Sequence, residues 1–213
     1  MILDGIIFDL DGTLWSTSRQ VKEVWQGVMD ARNIDMTISL DMMDGLMGMT
    51  PDEIADKVFS HLPHDLTMTL LRVCSQAEVA LLSQEGGDLY PNVMEVLINL
   101  SQTYPLYIVS NCQDGYIECF LNYHQTADYF KDFECIGRTG LAKADNISLL
   151  MERNNLRRTV YIGDTLSDQE AANQAGIPFI QARYGFGNLL AGLGIDCLQD
   201  LPGMVKKLEG DRV

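Results

Sequence analysis

From Gly86 onward, short apolar runs alternate with segments patterned as helices, and this alternation restricts the fold more than any other feature of the chain. After Gly86-Gly87 and Leu89-Tyr90-Pro91, NVMEVLINLSQ reads as a helix, PLYIVSN as a strand, GYIECFLNYH as a helix and FECIG as a short strand. ADNISLLMERN, TVYIGD, SDQEAANQAG and IPFIQA continue as helix, strand, helix and strand, and CLQDLPGMVKKL closes the series. Strands spaced in this way connect through right-handed crossovers, so the expected class is α/β, a parallel sheet with helices on both faces. Ligands of such sheets sit at the carboxyl ends of the strands.

The alternation has one interruption. GIIFD at residues 5–9 reads as the first buried strand and LDGTLW as a tight turn after it, but from Ser16 to Gly86 only helices are legible. They are VKEVWQGVMDA, PDEIADKVFSHL and DLTMTLLRVCSQAEVALLSQ, with a hinge-like DGLMGMT between the first two. Thr50-Pro51-Asp52-Glu53 carries a helix-start signature, an N-cap candidate followed by proline and acids in the first turn. The expected organisation is a core of residues 1–15 and 87–213 with a small all-helical cap, residues 16–86, inserted after the first strand. Two connections to the core would let the inserted block rock over it as a lid.

Composition narrows the function. Hydrophobic residues make up 46% of the 213 positions, as in ordinary globular chains. No apolar run approaches the roughly 20 residues of a membrane span, and no signal peptide is visible. A net charge of −15 argues against nucleic-acid polymers and acidic membranes as partners. Cys74, Cys112, Cys119, Cys135 and Cys197 are odd in number and lack zinc-ligand spacing, which fits a reduced, cytoplasmic setting. An acidic protein that binds a phosphate ester must build local positive charge from a metal, a lysine or backbone amides.

Residues that can do so fall at the strand ends. Asp9 and Asp11 lie two apart where the first strand runs out, and Asp164 and Asp168 follow TVYIG at i, i+4 spacing. Four carboxylates in one crevice repel unless a cation holds them, and hard oxygen ligands suit Mg²⁺. Ser110 and Asn111 end PLYIVSN with a hydroxyl and an amide for phosphate oxygens, and Lys143 near a helix start supplies positive charge.

DLDGTLW, IVSN, Lys143 and GDTLSD together resemble, in order, the four motifs of the haloacid dehalogenase (HAD) superfamily, a match that spans almost the whole chain, from Asp9 to Asp168. The resemblance implies a Rossmann-like core with a helical type-one cap, similar to phosphoglycolate phosphatase and β-phosphoglucomutase relatives. It makes Asp9 the nucleophile that becomes an aspartyl phosphate and Asp11 the general acid and base. Thr13 and Ser110 would hold phosphoryl oxygens, and Lys143 would neutralise charge between nucleophile and phosphate. Asp9, the main-chain carbonyl of Asp11, and Asp164 would ligate Mg²⁺, with Asp168 ordering a coordinated water or Lys143. The expected activity is hydrolysis of a small phosphorylated metabolite by a monomer or homodimer. A phosphomutase is the first alternative; a dehalogenase or a non-catalytic binder fits the motif set less well.

Several features have two readings. Met36, Met42, Met43, Met47 and Met49 are either an adaptable pocket or core filling, and Gly45 to Met49 is a candidate substrate-facing loop. Tyr184 to Gly187 (YGFG) either borders the site or is a plain turn. His61, His64 and His124 show no ligand spacing, and Trp15 and Trp25 are expected to pack within the cap.

Overall fold

The computed structural model describes residues 2–187 and 192–210. In chain order the elements are β1 (Gly5–Phe8), β2 (Trp15–Ser16), α1 (Ser18–Ala31), α2 (Leu40–Asp44), α3 (Pro51–Val58), α4 (His64–Glu85), β3 (Asp88–Leu89), α5 (Val93–Ser101) and β4 (Leu106–Ser110). They continue with α6 (Tyr116–Tyr123), β5 (Phe130–Cys135), α7 (Ile136–Thr139), α8 (Lys143–Arg153), β6 (Thr159–Gly163), α9 (Leu166–Gln174), β7 (Phe179–Ala182), β8 (Gly194–Ile195) and α10 (Leu201–Gly210).

The main sheet runs β5-β4-β1-β6-β7-β8 and every pairing in it is parallel. This is the α/β, Rossmann-like arrangement expected from the alternation. Side chains of β1 alternate between two apolar layers, because successive residues of a strand face opposite sides. Ile6 and Phe8 pack with Val96, Leu97 and Phe120 from α5 and α6. Ile7 packs on the other face with Ile147, Leu150 and Ala171 from α8 and α9. Burial on both faces explains why these strands read as continuous apolar runs.

Helices α1 to α4 have a core of their own, built around Trp25, Met29, Ile38, Phe59 and Leu71. Helix α3 starts as its sequence predicts: Thr50 accepts from the Glu53 amide while Glu53 reaches back to the Thr50 amide. The chain enters and leaves this block through an antiparallel pair, with Trp15 opposite Leu89 and Ser16 opposite Asp88. Strands this short carry no periodic signal, and β2, β3 and β8 were not legible in the sequence. Helix α4 lies against α6, which joins the inserted block to the core.

One expectation changes and one open reading is resolved. Trp15 belongs to the main core, edge-on to Tyr116 and Phe120 at 5.4 and 5.3 Å, because β2 holds it under α6. Of the ambiguous methionines, Met43 is buried in the core of the inserted block, and Met36, Met42, Met47 and Met49 pack around that core. The five cysteines are free, four of them buried. Among the described residues no helix is long and apolar enough to cross a membrane.

Candidate active site

Strands β4, β1 and β6 are neighbours, so their carboxyl ends bring Ser110, Asp9 and Asp164 to one place. Lys143 arrives from the first turn of α8. A lysine there opposes the helix dipole and loses its hydration, so local helix energetics do not favour it. Two carboxylates compensate: its Nζ lies 3.0 Å from Asp9 Oδ1 and 2.6 Å from Asp168 Oδ1, all three groups buried. Burial, the largest single influence, pulls the ammonium pKa down, but Asp168 and Asp9 together lift it above its usual value.

Asp168 is held in place by its other oxygen. Its Oδ2 accepts from the Asp164 and Thr165 amides at 3.1 and 2.9 Å and from the Thr165 hydroxyl at 2.8 Å. The Thr165 hydroxyl in turn accepts from the Asp168 amide, forming a capping box that starts α9. The cap of this helix is therefore Thr165, and Asp164 is free for other work.

Asp164 projects back toward Asp9. Its Oδ2 accepts from the Phe186 and Gly187 amides at 2.6 and 3.2 Å, which places the YGFG turn at the site edge. Glycine is required for this approach. A Cβ on Gly185 would lie 2.3 Å from the Gly12 carbonyl oxygen, and one on Gly12, whose φ is +81°, would lie 2.3 Å from Asp164 Oδ2.

Carboxylate oxygens of Asp9, Asp164 and Asp168 lie within 4.8 Å of one another. Asp9 Oδ2 and Asp164 Oδ1 are buried with no hydrogen-bond partner. Burial, then the neighbouring Asp168 charge, pushes the Asp9 pKa up to about 6 and that of Asp164 up to about 8. Two partnerless oxygens in a cluster with excess negative charge fit a small hard cation such as Mg²⁺.

The Asp11 carboxylate stands apart from this cluster, so a share in holding a metal would fall to its main-chain carbonyl. Its Oδ1 accepts from Tyr116 Oη at 2.9 Å and Thr17 Oγ1 at 3.2 Å, and those hydroxyls are 2.6 Å apart. Burial first, then the Asp9 charge, raises its pKa to about 7 against the pull of those donors. A carboxyl group poised there can both give and take a proton near neutrality. Tyr116 and Thr17 were not anticipated, because Thr17 falls just past the DLDGTLW motif, Tyr116 lies in no motif, and only folding brings the two hydroxyls together at Asp11.

Thr13 Oγ1 is buried without a partner and Ser110 is buried at the end of β4. Asn111 bridges to the inserted block, its Nδ2 donating to the Gly48 carbonyl at 2.9 Å, which brings the loop from Gly45 to Met49 over the strand ends. A cavity of about 80 Å³ lies there, bordered by Asp11, Ser110 and Asn111 below and by Met47, Trp25 and Glu78 above. Trp25 thus lines the cavity as well as packing within the block. Glu78, on α4, was also missed, since it reads as one more polar position on a long helix.

The family model for haloacid dehalogenase-like hydrolases matches residues 6–182. A phosphoglycolate phosphatase from Rhodobacter capsulatus is similar at 28% identity over 189 residues, 85% of each chain. Among solved structures, a haloacid dehalogenase-like family hydrolase from Streptococcus pneumoniae superposes with a TM-score of 0.81 at 21% identity, covering 95% of this chain and 97% of that one. CbbY from Rhodobacter sphaeroides, in complex with phosphate, superposes with a TM-score of 0.79 at 19% identity, covering 96% and 100%. The structural likenesses speak for the fold, and the family match spans every strand end that contributes a side chain to the site. The chain belongs to the haloacid dehalogenase-like hydrolase family.

Proposed function

We propose that the protein is a phosphatase that hydrolyses small phosphomonoesters through an aspartyl-phosphate intermediate, with Asp9 as nucleophile and Asp11 as general acid and base. The observation that carries this reading is the buried Lys143 bridge to Asp9 and Asp168, with a carboxyl group of raised pKa two residues from Asp9. Lys143 fixes the Asp9 carboxylate and faces the dianionic phosphoryl group with positive charge, while Thr13 and Ser110 offer hydroxyls to its oxygens. The Asp9 carboxylate attacks phosphorus and the bond to the leaving oxygen breaks. That oxygen takes the proton held on Asp11, for which Oδ2 is suited because Oδ1 already accepts two hydrogen bonds. Asp11, now ionised, removes a proton from water as the water attacks phosphorus; the bond to Asp9 breaks and inorganic phosphate leaves. Asp9, Asp164 and the Asp11 carbonyl would hold Mg²⁺, which when bound offsets charge on the phosphoryl oxygens. Residues 16–86 act as a cap whose closure excludes bulk water and limits substrate size.

Asp11→Asn tests the assignment through the leaving group. Loss of a general acid costs about 10² to 10⁴-fold, but an alkyl alcohol needs that proton far more than nitrophenolate does. Turnover of an alkyl phosphate is therefore expected to fall much further than the first phosphoryl transfer from p-nitrophenyl phosphate, read as the nitrophenolate burst. Equal losses on both would remove Asp11 from the proton transfer.

Binding of Mg²⁺ has a readout without turnover. The folded-state pKa values of Asp9 and Asp164, about 6 and about 8, stand above the ordinary 3.8. The metal-free fold therefore binds more protons than the unfolded chain in this window and loses stability as pH rises from about 4 to about 8. Metal must displace those protons, so the rise in Tm on adding Mg²⁺ is expected to be larger at pH 8 than at pH 6. At 100 times Kd the stabilisation is about 2.7 kcal/mol. An equal shift at both pH values, or none, would count against these carboxylates as the site.

A further inference from the structure

Among the described residues, Glu78 is the one buried carboxylate lining the cavity to which the proposed reaction gives no task. It is 7% exposed, on α4 of the inserted block, and faces the cavity across from Asp11. Its holders are neutral: Trp25 Nε1 donates to Oε1, and Gln113 Nε2 donates to Oε2 at 2.5 Å. A buried glutamate is ordinarily paired with a cation, and here both of its oxygens accept from neutral donors instead. Each oxygen also keeps a second lone pair. Among the described residues lining the cavity there is no lysine, arginine or histidine, and the two ionisable carboxyl groups are Asp11 and Glu78. The other walls include Val21, Met43, Met49 and Ile54, which accept a carbon chain without directing it.

The carboxylate–lysine cluster at the strand ends and the cavity beside it thus have opposite preferences. At the strand ends Lys143 receives the phosphoryl group, whereas the space for the leaving group ends at a carboxylate with no counter-charge. A second anion on the substrate would sit against Glu78 with no cation in the cavity lining to neutralise it, and like charges brought together in a water-poor site are strongly disfavoured. A hydrogen-bond donor would find the open lone pairs of Glu78. Resting on the phosphatase reading above, we propose that Glu78 is a specificity-determining residue that selects phosphomonoesters whose alcohol carries a donor group, hydroxyl or ammonium, and turns away those carrying a carboxylate.

Three two-carbon esters isolate this choice: phosphoethanolamine, 2-hydroxyethyl phosphate and 2-phosphoglycolate, with p-nitrophenyl phosphate as a reference. Values of kcat/KM are measured with Mg²⁺ for the wild type and Glu78→Gln. The wild type is expected to favour the two donor-bearing esters over 2-phosphoglycolate on the order of 10²-fold. Glu78→Gln is expected to shrink the phosphoethanolamine to phosphoglycolate ratio by roughly tenfold or more. A purely structural role would lower all four values together and leave that ratio unchanged. The two donor esters separate an ammonium from a hydroxyl as the preferred head. The proposal is overturned if wild type prefers 2-phosphoglycolate, or if Glu78→Gln leaves the ratio intact while both enzymes hydrolyse p-nitrophenyl phosphate. The wild-type preference is read even if the variant does not fold. Absence of hydrolysis of every ester by the wild type would instead overturn the phosphatase reading, and this proposal with it.

Discussion

Replacing Asp9 by asparagine is expected to lower phosphate release on the order of 10⁵-fold, the scale of losing the group that forms the covalent bond in a cooperating catalytic set. An amide retains the shape of the carboxylate but is a far weaker nucleophile. The fold should persist, because the substitution removes a buried negative charge whose ionisation is already disfavoured and leaves Lys143 with Asp168 at 2.6 Å. An unchanged Tm with turnover lost is the predicted pair of results. Activity within tenfold of wild type would exclude Asp9 as nucleophile.

Lys143→Met should show the opposite balance, with stability affected as well as activity. Methionine fills similar volume, so the chief change is electrostatic. Asp9 and Asp168 lose the cation between them, and removing one member of a buried ion pair costs about 3 to 5 kcal/mol, roughly 10 °C in Tm for a chain of this size. Protonation can relieve the stranded carboxylates, so the deficit should be smaller at pH 5.5 than at pH 8. Mg²⁺ should recover part of the lost stability because it neutralises the same cluster, but not turnover, since the charge facing the phosphoryl group is missing. A Tm equal to that of the wild type at pH 8 would mean that Lys143 is not the compensating charge.

The parts of this molecule that could be read from sequence are those in which chemistry and local structure coincide. DLDGT places two acids, a glycine turn and a hydroxyl within five residues of a strand end, and GDTLSD places Asp164 just past a strand and Asp168 on the helix after it. Parallel strands buried on both faces carry continuous apolar runs, so β1, β4, β6 and β7 were legible as well. What escaped depends on contacts between distant segments. Thr17, on the connection into the inserted block, and Tyr116, on α6, meet at Asp11, yet 99 residues separate them in the chain. Glu78 is unusual only because folding buries it beside neutral donors; on its helix it looks like a surface residue. The YGFG turn was ambiguous for a related reason. Its glycines could be seen, but the backbone amides of Phe186 and Gly187 contribute through their direction toward Asp164, which no residue type encodes.

The most direct test of the account is to look for the phosphoryl group on the protein. Asp11→Asn, expected to slow attack by water, is mixed with p-nitrophenyl phosphate and Mg²⁺, quenched in acid within one turnover, and its mass measured before and after peptide mapping. The account predicts one added phosphoryl group per chain, located on Asp9, appearing as nitrophenolate is released and absent when Asp9 is also asparagine. Nitrophenolate release with no phosphorylated protein, or a phosphoryl group on any other residue, would contradict it.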